Sequence, residues 1–110
     1  MTVLYFTAPP LPYYINSGET VFRPGDRPPS RTAIGLFDML IVHQGTLHMG
    51  EEHRQWAVRE GQMLVLRPDL SHYSPEPAES ETRFYWLHFH TSAYWSDRPG
   101  NAGNAGNAPS

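Results

Sequence analysis

The stretch Gly35–Val42, GLFDMLIV, decides the fold class of this chain. It is a nearly continuous apolar run of strand length that ends in the polar turn His43-Gln44-Gly45, a pattern typical of a buried strand. A second run of this kind, MLVL at Met63–Leu66, follows the turn Glu60-Gly61. It stops before Pro68, because proline cannot donate to a strand ladder. The two runs predict buried strands at the centre of a β-structure.

Further strands are predicted between and after these two runs. Thr46–Met49, the polar turn Gly50-Glu51-Glu52 and Gln55–Val58 form a predicted hairpin. The segment Thr82–Thr91, TRFYWLHFHT, is aromatic and β-branched enough to be one long strand, and a loop from Asp69 to Ser80 precedes it. Short strands at regular spacing, without an amphipathic helix, favour an all-β sandwich or barrel.

The chain of 110 residues has room for one compact domain. We expect residues 1–30 to form an N-terminal arm and irregular entry strands, because proline pairs keep them extended. Residues 31–97 form the predicted barrel. Residues 98–110 repeat Gly-Asn-Ala three times, which predicts a disordered tail or linker.

Composition excludes several classes of protein. The formal net charge is −3, from 8 basic and 11 acidic residues, and no basic stripe is present, so we expect no direct contact with nucleic acid. No apolar run approaches membrane-spanning length. The sequence contains no cysteine, which leaves no disulfide framework and favours a cytoplasmic protein.

The segment Gly61–His72, GQMLVLRPDLSH, resembles the second cupin motif, in which a turn glycine, a buried strand, a turn and a histidine follow one another. The glycine and the histidine match. Arg67 stands where the motif has proline, and Asp69 replaces the turn glycine. Because aspartate tolerates left-handed backbone better than most residues, we expect Asp69 to keep the turn.

The following residues, Ser71–Trp95, are similar to the sensor domains of the AraC family of transcription regulators in the spacing from His72-Tyr73 to Trp86 and in the ending Trp86-Leu-His-Phe. The resemblance covers about residues 30–95. It implies an all-β cupin-like β-barrel, a double-stranded β-helix or jelly roll without significant helix, that binds a small effector inside and is not an enzyme. In that family the N-terminal arm closes over the ligand.

The same resemblance implies a sugar-like effector, a homodimer in the full-length regulator, and a separate helix-turn-helix domain that this chain lacks. By position, Trp86 matches the platform on which a sugar stacks, although a core role also suits it. His72 and Tyr73 could hydrogen-bond ligand hydroxyls. Arg31 could bind ligand or cap the strand on the surface, and Asp38 is a pocket residue or a partner for Arg31.

Strand alternation adds two aromatic-strand residues to the candidate site. Side chains two apart on a strand share a face, so Phe84, Trp86, His88 and His90 are predicted to point the same way. The predicted ligand-binding residues are therefore Trp86, Tyr73, His72, Arg31, Phe84, His88 and Asp38.

We predict no metal, no cofactor and no catalytic residue. Cupin metal centres use paired histidines and a glutamate in a first motif; here that glutamate position falls on Asp38, the paired histidines are missing, and only His72 keeps its place. A metal site normally needs three protein ligands. The alternatives are chelation by His88 with His90, and a small metal-dependent cupin enzyme of the sugar isomerase or dioxygenase type, which bound metal would favour.

Overall fold

The computed structural model describes residues 3–98, and within this range the chain forms strands and turns without a helix. The all-β prediction is confirmed. No helix among these residues is long and apolar enough to cross a membrane. In chain order the strands are β1 Tyr5–Phe6, β2 Tyr13–Phe22, β3 Phe37–Gln44, β4 Thr46–Glu51, β5 Arg54–Arg59, β6 Met63–Leu66, β7 His72–Tyr73, β8 Thr82–His90 and β9 Trp95–Ser96.

The strands form three sheets, ordered β2-β8-β3-β6, β5-β4-β7 and β1-β9. In the first sheet β3 runs antiparallel to β6, with Asp38 opposite Leu66 and Leu40 opposite Leu64. By contacts the chain divides into two compact units, Ile15–His88 and a second made of Met1–Tyr14 with Phe89–Ser110. The first unit contains most of the four-stranded sheet and all of the three-stranded sheet.

The core of the larger unit comes from alternate residues of strands in both sheets. Its buried members are Leu40, Val42, Leu47, Met49, Val58, Leu66 and Phe84. Phe22, Trp56, Leu64 and Trp86 pack against this cluster and stay partly exposed. Burying such side chains contributes about 1.5–3 kcal/mol each, so the two sheets are held together mainly by these alternating positions.

The predicted hairpin forms, with Leu47 opposite Val58 and Met49 opposite Trp56, but its turn lies later than expected. Strand β4 continues through Glu51, and the turn falls at Glu52 and His53, where Glu52 has a φ of 53°. The turn placed at Gly50-Glu51-Glu52 was therefore wrong, because the alternation of Leu47 and Met49 continues into Glu51.

Strand β3 is also longer than predicted. His43 and Gln44 belong to the strand, and Gly45 alone makes the turn, with a φ of 76°. A side chain at Gly45 would also collide with Thr82 and the carbonyl of Glu81. Left-handed backbone without room for a Cβ is the condition that requires glycine.

The turn at Asp69 differs from the sequence-based expectation. Among the non-glycine residues of the described range, positive φ occurs at Glu52, so Asp69 does not adopt the left-handed conformation. Instead its carboxylate accepts hydrogen bonds from the Arg67 guanidinium at 3.0 and 2.9 Å. The two departures from the cupin motif thus contact each other. The loop also contains β7, a strand that was not predicted.

The N-terminal segment is more regular than its prolines suggested. Strand β2 runs for 10 residues, so the irregular entry strands expected before residue 31 were wrong for this part. In the smaller unit, Tyr5 pairs with Ser96 and Phe6 with Trp95. Residues 1–2 and the predicted tail from residue 99 onward lie outside the described residues.

Candidate functional site

Polar side chains gather at one end of the sandwiched sheets. Along β3, Asp38 precedes the core residues Leu40 and Val42 on the same face. Along β4, Glu51 follows Leu47 and Met49, and along β8, His88 follows Phe84 and Trp86. Because β3 starts where β8 and β4 end, the three polar residues meet at the same end of the core. This group, with His72 of β7, is called the polar end below.

The centre of the polar end is the pair Asp38 and His88. Nε2 of His88 lies 3.6 Å from Oδ1 of Asp38, and their side chains are 20% and 18% exposed. At this distance the contact is too long for a hydrogen bond, and it is an ion pair only when His88 is protonated. Oδ1 of Asp38 is buried and has no hydrogen-bond partner. A buried carboxylate oxygen of this kind is costly unless something donates to it.

Burial raises the pKa of Asp38 above its ordinary value of 3.8, and the nearby charges of His88, His72 and Arg31 oppose that rise without cancelling it. Desolvation disfavours the charged carboxylate more than these cations favour it. Asp38 is therefore a group whose charge the fold does not fully compensate. Perturbed acids of this kind concentrate at functional sites.

The other nitrogen of His88 is fixed by a residue that the sequence did not identify. Nδ1 lies 3.0 Å from Oδ1 of Asn16 on β2. An amide oxygen only accepts hydrogen bonds, so Nδ1 is the donor. Asn16 thereby orients the ring and leaves Nε2 directed toward Asp38. The sequence carried no signal for Asn16, because the inward residues of β2 have no common hydropathy.

His72 is buried and already bonded to the protein. Its Nε2–H donates to the carbonyl of Arg67 at 3.1 Å, and the same atom lies 3.6 Å from Oε2 of Glu51. That carboxylate oxygen also accepts the backbone N–H of Arg67 at 2.6 Å. His72 and Glu51 therefore fasten the loop after β6 to β4. Glu51 was missed because the sequence placed it in a turn.

The charge state of His72 follows from this arrangement. Burial lowers the pKa of His72, but Glu51, the Arg67 carbonyl and Asp38 together outweigh it, so the pKa lies above 6.5. The protonated ring is the form that the buried Glu51 favours. His72 belongs to the polar end as a structural residue, and its Nε2 is occupied by the carbonyl of Arg67.

Arg31 reaches the same end of the fold through its backbone. Its N–H and carbonyl exchange hydrogen bonds with those of His72 at 2.9 and 2.8 Å. The residue is exposed, and its charge is one of those that lower the pKa of Asp38. This placement agrees with a surface position at the strand entry and with an electrostatic contact to Asp38, and ligand binding by Arg31 stays a prediction.

Tyr73 does not join the polar end. In the β4–β7 ladder it pairs with Gly50, whereas His72 pairs with Glu51, so the two neighbours point to opposite faces. The Tyr73 ring fills the space that a Cβ at Gly50 would need. Its hydroxyl donates to the carbonyl of Glu52 at 2.9 Å and accepts from Gln55 at 3.3 Å. The prediction that Tyr73 lines the interior site was therefore wrong in placement.

Trp86 and Phe84 lie on the same face of β8 but differ in how far they are exposed to solvent. Phe84 is 5% exposed within the core, its ring 5.4 Å from that of Phe22, so it is a core residue and not part of an accessible site. Trp86 packs against the core while remaining partly exposed. Its ring lies 5.0 Å from that of His88. Trp86 thus connects the apolar core with the polar end.

Two open cavities flank the core, and neither is lined by Asp38, His72 or His88. One of about 350 Å³ lies between β5 and β6 and is lined by Trp56, Ala57, Val58, Gln62, Met63 and Leu64. The other, of about 430 Å³, follows β2 and β8 and is lined by Ser17, Gly18, Glu19, Ile41, Tyr85, Trp86 and Leu87. Trp86 is the predicted ligand-binding residue that borders one of them.

The described histidines have separate partners. His88 contacts Asn16 and Asp38, and in the smaller unit the ring of His90 meets the edge of Tyr13 at 6.2 Å. Across residues 3–98 no three histidine, aspartate or glutamate side chains are grouped closely enough to hold a metal ion. The residues present therefore do not fit a cupin metal centre.

Residues 14–107 match the model of the AraC-like ligand binding domain. The chain belongs to this family. The resemblance inferred from Ser71–Trp95 is thereby confirmed, and this AraC-like domain is a ligand-binding domain by family.

The chain is also similar to a bacterial protein described as a transcriptional regulator. The chain is 37% identical over 94 residues to the HTH-type transcriptional regulator YisR of Bacillus subtilis, strain 168. The match takes in 86% of this chain and 32% of that protein. The AraC-like domain thus spans about a third of the length of its relative.

Solved structures agree on the fold. The Cnp3 cupin domain of Schizosaccharomyces pombe matches with a TM-score of 0.62 at 11% identity, covering 83% of this chain and 61% of that one. An oxalate oxidase in complex with the substrate analogue glycolate matches with a TM-score of 0.56 at 17% identity, covering 77% and 46%. The AraC-like domain has a cupin fold, and this fold is shared with an enzyme.

Proposed function

We propose that the AraC-like domain senses a small polar effector, sugar-like in chemistry, at its polar end. One observation carries the proposal: the buried Oδ1 of Asp38 has no hydrogen-bond donor and faces His88 beside the partly exposed ring of Trp86. A ligand hydroxyl that donates to Oδ1 would supply the missing hydrogen bond. Binding of such a group therefore offsets the free-energy cost of leaving the buried Oδ1 without a hydrogen bond in the free domain.

The surroundings suit a polyhydroxylated ligand. A tryptophan face packs well against the C–H groups of a sugar ring, and small-ligand sites combine apolar walls with a few placed polar groups. Here Trp86 supplies the wall, Asp38 an acceptor, and His88 an imidazole held in place by Asn16. Arg31 adds a positive charge at the same end. His72 supports the site by holding the neighbouring loop.

The proposal is tested with a panel of mono- and disaccharides in a thermal-shift assay of the purified chain. A ligand present at a hundred times its dissociation constant stabilises the folded state by about 2.7 kcal/mol. We expect a stabilising sugar or sugar derivative, with the effect greatly reduced in Asp38→Asn. A panel without any stabilising compound would count against a sugar effector.

The alternative is a metal-dependent cupin enzyme, because an oxalate oxidase shares the fold. The donor set gives it less support, because Nε2 of His72 donates to the carbonyl of Arg67 and Asp38 lies 3.6 Å from His88. Elemental analysis of the purified chain separates the two functions. One bound transition metal per chain, lost in His72→Ala, would favour the enzyme over the sensor.

For the whole protein we propose a cytoplasmic transcription regulator that acts as a homodimer. The relative of Bacillus subtilis is described as an HTH-type transcriptional regulator, and in that arrangement the effector domain makes no direct contact with nucleic acid. The formal net charge of −3 agrees with this division of roles.

A further inference from the structure

The neutral imidazole of His88 is held in one tautomer by its neighbour on β2. Nδ1 of His88 faces Oδ1 of Asn16 at 3.0 Å. An amide oxygen only accepts hydrogen bonds, so the hydrogen of the neutral ring lies on Nδ1. The other ring nitrogen, Nε2, then has a lone pair and no hydrogen. Neutral His88 is therefore a hydrogen-bond acceptor on the side that faces Asp38.

The distance between His88 and Asp38 agrees with this tautomer. An N–H group on Nε2 would be expected to donate to the carboxylate at about 2.7–3.2 Å. The structure instead places Nε2 of His88 3.6 Å from Oδ1 of Asp38. Among residues 3–98 this oxygen has no hydrogen-bond partner. Two acceptors thus face each other, and neither supplies the hydrogen that the other needs.

We propose that these two atoms, Oδ1 of Asp38 and Nε2 of His88, form a paired acceptor that selects effectors with a vicinal diol in the gauche arrangement. This selectivity rests on the proposed effector function of the polar end, and it adds which hydroxyl pattern that end accepts. In a gauche diol one hydroxyl can donate to the carboxylate while its neighbour donates to the imidazole. A single hydroxyl has one hydrogen and satisfies only one of the two acceptors.

The paired acceptor lies beside an aromatic surface that suits the same ligand. The side chains of His88 and Asp38 are 20% and 18% exposed, so they lie at the edge of the core rather than deep within it. The partly exposed ring of Trp86 is centred 5.0 Å from that of His88. A sugar ring packs its C–H groups on an indole. A ring on Trp86 therefore has both acceptors close to its hydroxyls.

Charge at the polar end favours a neutral diol over an amine. An ammonium group also has several donors and would be attracted to the carboxylate. However, the positive charges of Arg31 and of protonated His72 already act on Asp38, and both would repel a further cation. Two hydroxyls supply as many hydrogen bonds without adding charge, so the diol is the better match.

Nitrogen-15 NMR of the full chain tests the tautomer without any ligand. Long-range proton–nitrogen spectra at about pH 8.5, where an ordinary histidine is neutral, show which ring nitrogen is protonated. The variant His88→Asn identifies the His88 signals by their loss. We expect the hydrogen on Nδ1, and in Asn16→Leu, which lacks the acceptor for it, a shift of the hydrogen toward Nε2. A hydrogen on Nε2 in the wild type would overturn the paired acceptor.

Three probes with one six-membered carbon ring test the selectivity: cis-cyclohexane-1,2-diol, cis-2-methoxycyclohexanol and cis-2-aminocyclohexanol. The methoxy probe keeps both oxygens but has a single donor, so it excludes solvent from an acceptor that it leaves unpaired. Titrations followed at the indole N–H signal of Trp86 give the dissociation constants. We expect the diol to bind at least about tenfold more tightly than the methoxy probe.

Three results of these titrations would contradict the paired acceptor. The first is equal binding of the diol and the methoxy probe, and the second is no binding of the diol up to its solubility. The third is tighter binding of the amino alcohol than of the diol, which would make charge rather than paired hydroxyls the basis of selection.

The variant His88→Asn assigns the second acceptor. Its amide can still donate to Asn16 in place of Nδ1, whereas the atom equivalent to Nε2 is gone, so the preference for the diol should vanish. His43→Asn is the matched control, because His43 bonds Glu19 and stacks on Tyr85, and it should keep the preference. A preference that persists in His88→Asn would overturn the proposal. The comparison of probes on the wild type stands by itself should His88→Asn not fold.

The outcomes are separable from those of the sugar panel. A panel sugar that stabilises the chain, together with equal binding of the diol and the methoxy probe, would overturn the paired acceptor and leave the effector site in place. An Nδ1–H tautomer with a clear preference for the diol, but no stabilising sugar, would support the paired acceptor and count against a sugar effector.

Discussion

The indole ring of Trp86 occupies the space that a side chain at Gly18 would need. An ideal Cβ at Gly18 would lie 2.6 Å from Cζ2 and 2.9 Å from Cε2 of Trp86. The φ angle of Gly18 is not positive, so the backbone there would accept any residue. Glycine is required at this position by the close approach of the ring, and β2 thereby sets where Trp86 lies beside the polar end.

Gly18→Ala should therefore destabilise the domain and displace Trp86. Overpacking of this kind costs about 1–3 kcal/mol, measured as the change in unfolding free energy in urea. The affinity for the effector identified in the sugar panel should fall as well, because the stacking wall moves. We expect titration calorimetry to show the weaker binding directly.

A double-mutant cycle with Trp86→Phe identifies the cause. The smaller ring leaves room for the added methyl group, so Gly18→Ala should cost less in the Trp86→Phe background than in the wild type. Additive effects of the two substitutions would mean that the methyl group meets something other than Trp86.

The pH dependence of stability provides a second prediction. Because the pKa of His72 is higher in the folded protein than its ordinary 6.5, the folded state binds this proton more tightly than the unfolded state. The resulting stabilisation is fully present below pH 6.5 and is lost as the pH rises through the folded pKa. Urea unfolding at a series of pH values across this range should show the decline.

Glu51→Gln should flatten that decline, since the carboxylate is the main group that favours protonated His72. Glu52→Gln is the matched control. Glu52 accepts the N–H of Ser71 at 2.9 Å in the same region, and its replacement should leave the slope unchanged. A slope that persists in Glu51→Gln would show that another group titrates.

Much of the fold followed from the pattern of apolar residues. The runs at Met63–Leu66 and Thr82–Thr91 predicted β6 and β8 nearly to the residue, because buried strands leave a dense local signal. Strand β2 was predicted as irregular since most of it is exposed and its prolines lie just before it. Its inward residues Asn16, Gly18 and Phe22 have no common hydropathy, so alternation gave no signal there.

The candidate site was harder to predict than the fold. Asp38, predicted by counting back from Gly45, and His88, predicted from the alternation of its strand, lie 3.6 Å apart, and their binding of a ligand stays a prediction. Tyr73 was misplaced, since neighbours on a strand point to opposite faces and the register of the short β7 could not be known from sequence. Glu51 and Asn16 act through partners on distant strands, and a single sequence contains no information about such pairs.

The outward placement of Tyr73 leads to a third prediction. Tyr73→Phe removes the hydroxyl that links Glu52 and Gln55, and the loss of such hydrogen bonds costs about 1 kcal/mol. Effector affinity should stay within experimental error of the wild type in calorimetric titration. A tenfold weaker affinity would show that the hydroxyl reaches the ligand.

The last prediction concerns Asp38, where binding and stability should change in opposite directions. Asp38→Asn keeps the shape of the side chain but removes the acceptor charge, and a hydrogen bond to a charged group contributes about 1.5–3 kcal/mol. Effector affinity should therefore fall roughly ten- to a hundredfold. Asp69→Asn, at a carboxylate that is 49% exposed and paired with Arg67, is the control that should bind normally.

The stability of Asp38→Asn should exceed that of the wild type at neutral pH. Because burial raises the folded pKa of Asp38 above 3.8, the wild type loses stability as the pH rises from 3.8 through that pKa, whereas asparagine cannot titrate. The difference between the two unfolding free energies should therefore vanish in acid and reach a plateau above the folded pKa. A variant that binds poorly and is also less stable at neutral pH would indicate that Asp38 is a structural partner of His88 rather than an acceptor kept for a ligand.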